Sequence, residues 1–216
     1  MAVGNRFIDL RAEVTAAILQ TIRAGWQILS RESEVQADWL EVPITERLRD
    51  SMREALRDLP WGKSMVVLPG TESRSNSSVT VPDGRLDIPV FLIEVFVGQK
   101  EHDPHAIIEC KRVGEGNAHL CRQYVVEGVD RFRSGRYARN HRTGFMIGYV
   151  ISGGEAGVVS SINRYLSDNA RASEHLQPSK ILEEGWVWQS LHTRQGQSVP
   201  IQLHHALLSF VVASVP

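Results

Sequence analysis

"HAIIECKRV", residues 105–113, is the stretch on which the reading of this chain turns. Ile107 and Ile108 lead straight into Glu109, Cys110 and Lys111, so a segment with the composition of a buried strand ends on an acid and an amine two positions apart. Side chains of a strand alternate between faces, which puts Glu109 and Lys111 on one side and Cys110 on the other. Burying such a pair is costly unless something compensates it. The pair is therefore either a structural ion pair at a strand end or the centre of a site in which the carboxylate ligates a cation and the ammonium stabilises charge on a nucleophile or phosphoryl oxygen.

The segments around it supply the architecture. Phe7, Leu10, Val14, Ile18, Ile22, Trp26 and Leu29 recur at helical spacing, as do Ile44, Leu48, Met52, Leu56 and Leu59 between Pro43 and Pro60. "SMVVLPG" reads as a short strand, "TESRSNSSV" as a polar loop, and "RLDIPVFLIEVFV" as one long strand. After the quoted strand, residues 117–134 return to the helical period, with Gly135 placed to end it. "TGFMIGYVIS" reads as a strand, "EAGVVSSINRYLSDNA" as a helix, and the C-terminal part as two strands around a Gln-Gly turn. The order predicts an α/β fold with a mixed central β-sheet flanked by helices. It divides into an N-terminal helical extension (1–40), a core (41–151), and a helix plus β-hairpin (152–216), all within a single domain of 216 residues.

A cation site needs a second acid, and the preceding apolar segment carries one at Asp87. Neighbouring strands lie roughly 5 Å apart, so paired strands would let Asp87 and Glu109 share a divalent ion. Asp87 followed by Glu109-Cys110-Lys111 on the next strand resembles the PD-(D/E)xK nuclease superfamily, the restriction-endonuclease-like fold, over residues 41–151 with an αβββαβ order. The resemblance implies Mg²⁺, with Mn²⁺ able to substitute, held by Asp87 and Glu109. It further implies that Lys111 orients or activates water, that an acid of the first helix, matched to Glu46, assists, and that a polar residue of the later helix, matched to Gln123, completes the site. It implies a metal-dependent endonuclease acting on DNA, of a kind often found in restriction or phage defence. One departure stands out: the proline that usually precedes the aspartate is absent, and Pro89 follows Asp87 instead.

Other readings stay open beside this one. Asp83, in the turn-like "PDG", is an alternative ligand. Glu46 lies roughly 200° around its helix from Ile44, as a solvated surface acid would. Glu94 reads as a strand-edge charge or a supporting acid. His105, Cys110, His119 and Cys121 match none of the paired spacings expected for zinc. His192, His204 and His205 could line the site but suit surface or capping roles better.

Charge and composition set the outer bounds. The 24 Lys and Arg balance 25 Asp and Glu to a net charge of −1, so no global sign of a polyanion partner exists. Between Lys111 and Arg142, however, eight basic residues face three acids. Arg112, Arg122, Arg131, Arg133, Arg136, Arg139 and Arg142 could therefore track a nucleic-acid backbone, since arginine pairs bidentately with phosphates; the bland alternative is a solvated helix end. RNA fits as well as DNA, because nothing in the motif reads the 2′-OH. No separate recognition domain is visible, so a homodimer or partner protein would supply specificity, and a fold that has lost its chemistry would serve as a binding or assembly module. Two cysteines, no leader-like apolar segment and no membrane-length apolar run point to a cytoplasmic protein away from membranes.

Overall fold

The two N-terminal amphipathic stretches fold as α1 (Ala12–Leu29) and α2 (Glu41–Ala55). Ile18, Leu19, Ile22 and Leu29 of α1 and Ile44, Leu48 and Met52 of α2 are fully buried. The helices cross tightly at Gly25, where a Cβ would stand 2.6 Å from Met52 Cγ. The computed structural model describes residues 7–31, 38–73, 84–100, 102–194, 196–197 and 199–210; Asp83 lies outside them. Phe7 and Leu10, expected within α1, precede it. The Ile8 backbone is claimed by a bridge to His141, with Ile8 N–H donating to Asn140 O at 2.6 Å and Arg142 N–H to Ile8 O at 3.0 Å.

The remaining elements are β1 (Met65–Val67), β2 (Glu72–Ser73), β3 (Gly84–Arg85), β4 (Ile88–Leu92), α3 (Ile93–Gln99), β5 (Ala106–Gly114), α4 (Ala118–Tyr124), α5 (Asp130–Arg133), β6 (Thr143–Ser152), α6 (Glu155–Asp168), β7 (Gln177–Pro178), β8 (Val187–His192) and β9 (Ile201–Ser209). Seven strands form one mixed sheet in the order β1-β4-β5-β6-β9-β8-β7. Parallel β5-β6 and β6-β9 pairs occupy its centre, and antiparallel pairs lie on both sides. The fold is thus α/β, a mixed central sheet with helices packed on it. Among the described residues no helix is long and apolar enough to cross a membrane.

One apolar cluster joins α1 and α2 to Ile88, Val90, Ile108, Cys110, Phe145 and Ile147. The other joins α4 and α6 to Ile107, Val113, Met146 and Leu203. The alternation within β5 decides which cluster each residue enters, and Glu109 and Lys111 share the parity of the second.

Two segments depart from the sequence expectation. The predicted long strand over 85–97 is split, because β4 stops at Leu92 and the chain turns into α3. The reason is pairing. Met65 opposes Leu92 at the end of β1, and Ala106 opposes Val90 at the end of β5. Beyond Leu92 no ladder remains among the described residues, so the backbone satisfies its own polar groups as a helix despite its β-branched and aromatic content. Glu94 is accordingly an exposed helical acid paired with Arg11 at 3.3 Å. The helix expected over 117–134 begins at an Asn117 cap, whose Oδ1 accepts from Leu120 N–H at 3.0 Å, but it is interrupted by a π turn over Val125–Val129 before α5.

Candidate active site

The site forms where β4 begins beside the middle of β5. Ile88 is the last β4 residue opposite β5, paired with Ile108, and beyond it the edge of β5 has no strand partner among the described residues. Asp87 takes over there: its Oδ2 accepts the Cys110 backbone N–H at 2.8 Å. That bond holds the Asp87 carboxylate close enough to Glu109 to raise the latter's pKa.

Glu109 is fully buried and lopsidedly satisfied. Its Oε1 accepts from Lys111 Nζ at 2.8 Å and from Arg131 Nη1 at 2.7 Å. Its Oε2 is buried and, among the described residues, has no hydrogen-bond partner. Burial pushes the Glu109 carboxyl up, the charge of Asp87 adds to the push, and Lys111 and Arg131 oppose it, leaving a pKa of about 8.

Lys111 is 7% exposed and has all three of its N–H donors engaged, by Glu109 Oε1, by Glu41 Oε1 and by the Cys110 carbonyl, each at 2.8 Å. Burial works against its charge, but Glu109, Glu41 and Asp87 outweigh burial and hold its pKa above the ordinary lysine value. The ammonium stays protonated. Close packing keeps it in place, because a Cβ on Gly128, in the π turn, would stand 2.6 Å from Met146 Cε and 3.4 Å from Lys111 Cγ.

Two residues of the site escape a reading of the sequence. Glu41 opens α2; its Oε1 binds Lys111 and its Oε2 accepts Arg112 N–H at 3.2 Å. The signal was present, since Glu41 lies three and seven positions before the buried Ile44 and Leu48 and shares their stripe. Pro43 drew the expected helix start past it, although proline is tolerated within a first turn. Arg131, expected on a phosphate-tracking surface, instead joins the acids: it binds Glu109, donates to Tyr137 Oη at 2.9 Å and lies 5.2 Å over that ring. Tyr137 in turn donates to Arg85 O at 2.7 Å, two residues before Asp87. No periodic pattern marks this contact.

Glu46 pairs with Arg49 at 3.6 Å and Arg85 at 3.7 Å; it shares with Glu41 and Asp87 the wall of a small cavity of about 60 Å³ but does not touch Lys111. Gln123 is half-buried on α4 and, among the described residues, makes no hydrogen bond to Glu109 or Lys111. Arg112 donates to Trp39 O at 3.3 Å, Arg122 pairs with Glu127, Arg133 with Asp130 and Glu174, and Arg142 with Asp9. Arg136 and Arg139 are likewise engaged within the chain. Cys110 and Cys121 enter different apolar clusters, so the four side chains considered for zinc do not gather around one point.

His192, His204 and His205 are neither at the surface nor at the site; all three are buried. His192 and His205 belong to a hydrogen-bonded chain. Tyr124 Oη lies 2.8 Å from His205 Nδ1, His205 Nε2 lies 2.7 Å from Ser190 Oγ, Ser190 Oγ lies 2.6 Å from His192 Nε2, and His192 Nδ1 lies 2.6 Å from Glu174 Oε2.

As a cation site the acids have a definite character. Among the described residues no three His, Cys, Asp or Glu side chains are gathered as ready-made metal ligands. Mg²⁺ does not require them: it keeps several waters and is commonly held by one or two carboxylates together with substrate phosphates. Two neighbouring carboxylates, one with an unpartnered buried oxygen, fit that demand. Compared with protein-family models, with curated proteins and with solved structures, the chain matches none.

Proposed function

We propose that this chain is a divalent-metal-dependent endonuclease that hydrolyses phosphodiester bonds in DNA, in the manner of the PD-(D/E)xK nucleases it resembles. The observation that carries the reading is the unpartnered, fully buried Oε2 of Glu109 beside the Asp87 carboxylate. An unsatisfied carboxylate oxygen next to a second acid costs stability, and it becomes an asset where a cation is to be taken up. Asp87 and Glu109 would hold Mg²⁺ or Mn²⁺, and the bound ion would supply Lewis acidity toward a phosphoryl oxygen and a lowered pKa for water.

The rest of the work falls to the chain's own groups. Lys111, kept protonated by its three neighbouring acids, places positive charge where a phosphate would gain negative charge. Glu41 positions that ammonium from α2, tying the helix to the strand through both of its oxygens. The hydrogen bond from Cys110 N–H fixes the Asp87 carboxylate at the sheet edge.

Neither sugar is distinguished by these groups, so RNA is a substrate class the experiment must include. Selectivity would come from a second copy or a partner protein, and a place in restriction or phage defence rests on the resemblance alone. A different reading, a binding or assembly module without chemistry, is favoured by one observation: Lys111 and Arg131 already neutralise Glu109 Oε1.

The test is incubation of the purified protein with supercoiled plasmid and structured RNA, in Mg²⁺, Mn²⁺ or EDTA, beside Lys111→Ala. The expected result is nicked or linear DNA with either metal, none in EDTA, and at least a ~10²-fold loss in the variant. Cleavage that persists in EDTA or in the variant overturns the mechanism. Binding without cleavage selects the module, and cleavage of RNA alone reassigns the substrate.

A further inference from the structure

Glu109 can serve a divalent ion only in competition with the cations it already holds. Lys111 is not the exchangeable one, because all three of its donors are engaged inside the protein and it is 7% exposed. Arg131 is placed differently. Its side chain is 27% exposed, and the same Nη1 that binds Glu109 also donates to Tyr137 Oη, with the guanidinium resting over the Tyr137 ring. If Glu109 lets go, Arg131 keeps a hydrogen bond and a cation-π contact at the lip of the site.

The backbone beneath Arg131 is anchored, so the exchange needs only a side-chain movement. Its neighbour Asp130 is gripped by both terminal nitrogens of Arg171, at 2.7 and 3.2 Å. Tyr137 is held to the Arg85 carbonyl on the segment that leads into Asp87.

We propose that Arg131 is the resident counter-cation of this site, holding Glu109 while no divalent ion is bound, yielding the carboxylate to the ion, and then turning its guanidinium to a phosphate oxygen of the nucleic acid. The inference rests on the nuclease reading and adds the residue that couples metal loading to substrate binding. Arginine suits this role because its planar fork can keep the Tyr137 hydroxyl on one edge and offer the other edge to a phosphate.

A resident competitor has a signature that a merely structural residue lacks: its removal tightens the metal and weakens the substrate. In Arg131→Met, Mn²⁺ affinity, measured by titration calorimetry or by electron paramagnetic resonance of free Mn²⁺ without nucleic acid, is expected to rise roughly tenfold as the competing charge is lost. The KM for a DNA duplex is expected to rise by a similar factor, with kcat changing less. Should Arg131→Met fail to fold, Arg131→Gln, which removes the competing charge but keeps a polar side chain, must move both quantities in the same directions. Wild-type protein that binds Mn²⁺ while the variants bind it equally or more weakly overturns the inference and leaves the nuclease reading standing. Wild-type protein that binds no Mn²⁺ overturns both.

Discussion

Among the described residues, two buried polar clusters differ in how their acids are satisfied. In the chain from Tyr124 to Glu174 one assignment of protons satisfies every contact: Tyr124 O–H donates to His205 Nδ1, His205 Nε2–H to Ser190, Ser190 O–H to His192 Nε2, and His192 Nδ1–H to Glu174. Glu174 also accepts from Arg171, and with His192 and Arg171 overcoming the effect of burial its pKa is drawn down to about 2. At the acid cluster Asp87, Glu109 and Glu41 are drawn together, one carboxylate oxygen is orphaned, and a carboxyl is held at about 8. Glu174 has both of its oxygens in ion pairs, and such a network specifies a structure; an acid left with an orphaned oxygen is kept where a ligand is to complete it.

The sharpest way to break this comparison is to neutralise one acid in each cluster. Glu109→Gln is expected to reduce cleavage by roughly 10³-fold or more, while its melting temperature stays level or rises, because a desolvated acid beside Asp87 is removed. A clear drop in melting temperature would instead make Glu109 a structural residue. In the other cluster, Ser190→Ala strands two imidazole nitrogens and is expected to cost about 2–4 kcal/mol in denaturant unfolding, with cleavage per folded molecule unchanged. A Ser190→Ala variant of wild-type stability would show that the hydrogen-bonded chain is incidental.

The two regions should also answer pH with opposite signs. Burial lowers His204 to about 4 and holds His205 well below the ordinary histidine value, with His192 and His204 adding to the latter effect. Unfolded histidines near 6.5 take up protons that the folded ones refuse, so their contribution is present above that pH and is lost as pH falls through about 4. Glu109 is raised from 4.5 to about 8, so its contribution is present below 4.5 and is lost as pH rises through about 8. Between pH 6.5 and 8 only the Glu109 effect runs, and stability should fall by roughly 2 kcal/mol. Thermal melts of Glu109→Gln should lack this alkaline decline and keep the acid one. The smallest effect belongs to the paired helix acids: Glu46→Ala should alter cleavage about twofold or less, as expected of an exposed acid in a surface ion pair, whereas Glu41→Ala should lower kcat by roughly tenfold or more through Lys111. Equal effects from the two acids would return Glu46 to the site.

Parts of this were legible along the chain for a simple reason. Backbone geometry alone sends Glu109 and Lys111 to one face of a strand and Cys110 to the other, and it lines up Ile44, Leu48 and Met52 on one side of α2. The β-rich content of 85–97 said nothing about where partners would run out, so the turn into α3 after Leu92 escaped it. Glu41 escaped the sequence reading because the helix start was set two residues late, by proline rather than by docking.

The information readable along the chain is therefore local: the periods of its helices and strands, the mixed sheet they imply, and the shared face of an acid and an amine on β5. Which distant groups meet them follows from the packing of the whole fold. Arg131 reaches Glu109 because a π turn and the crossing of α5 over the sheet bring it there, and the histidines enter a buried chain because β8, β9 and α4 converge. Side-chain facing follows from dihedral angles within a few residues, whereas the pairing of charges across the fold depends on packing that sums over the whole chain.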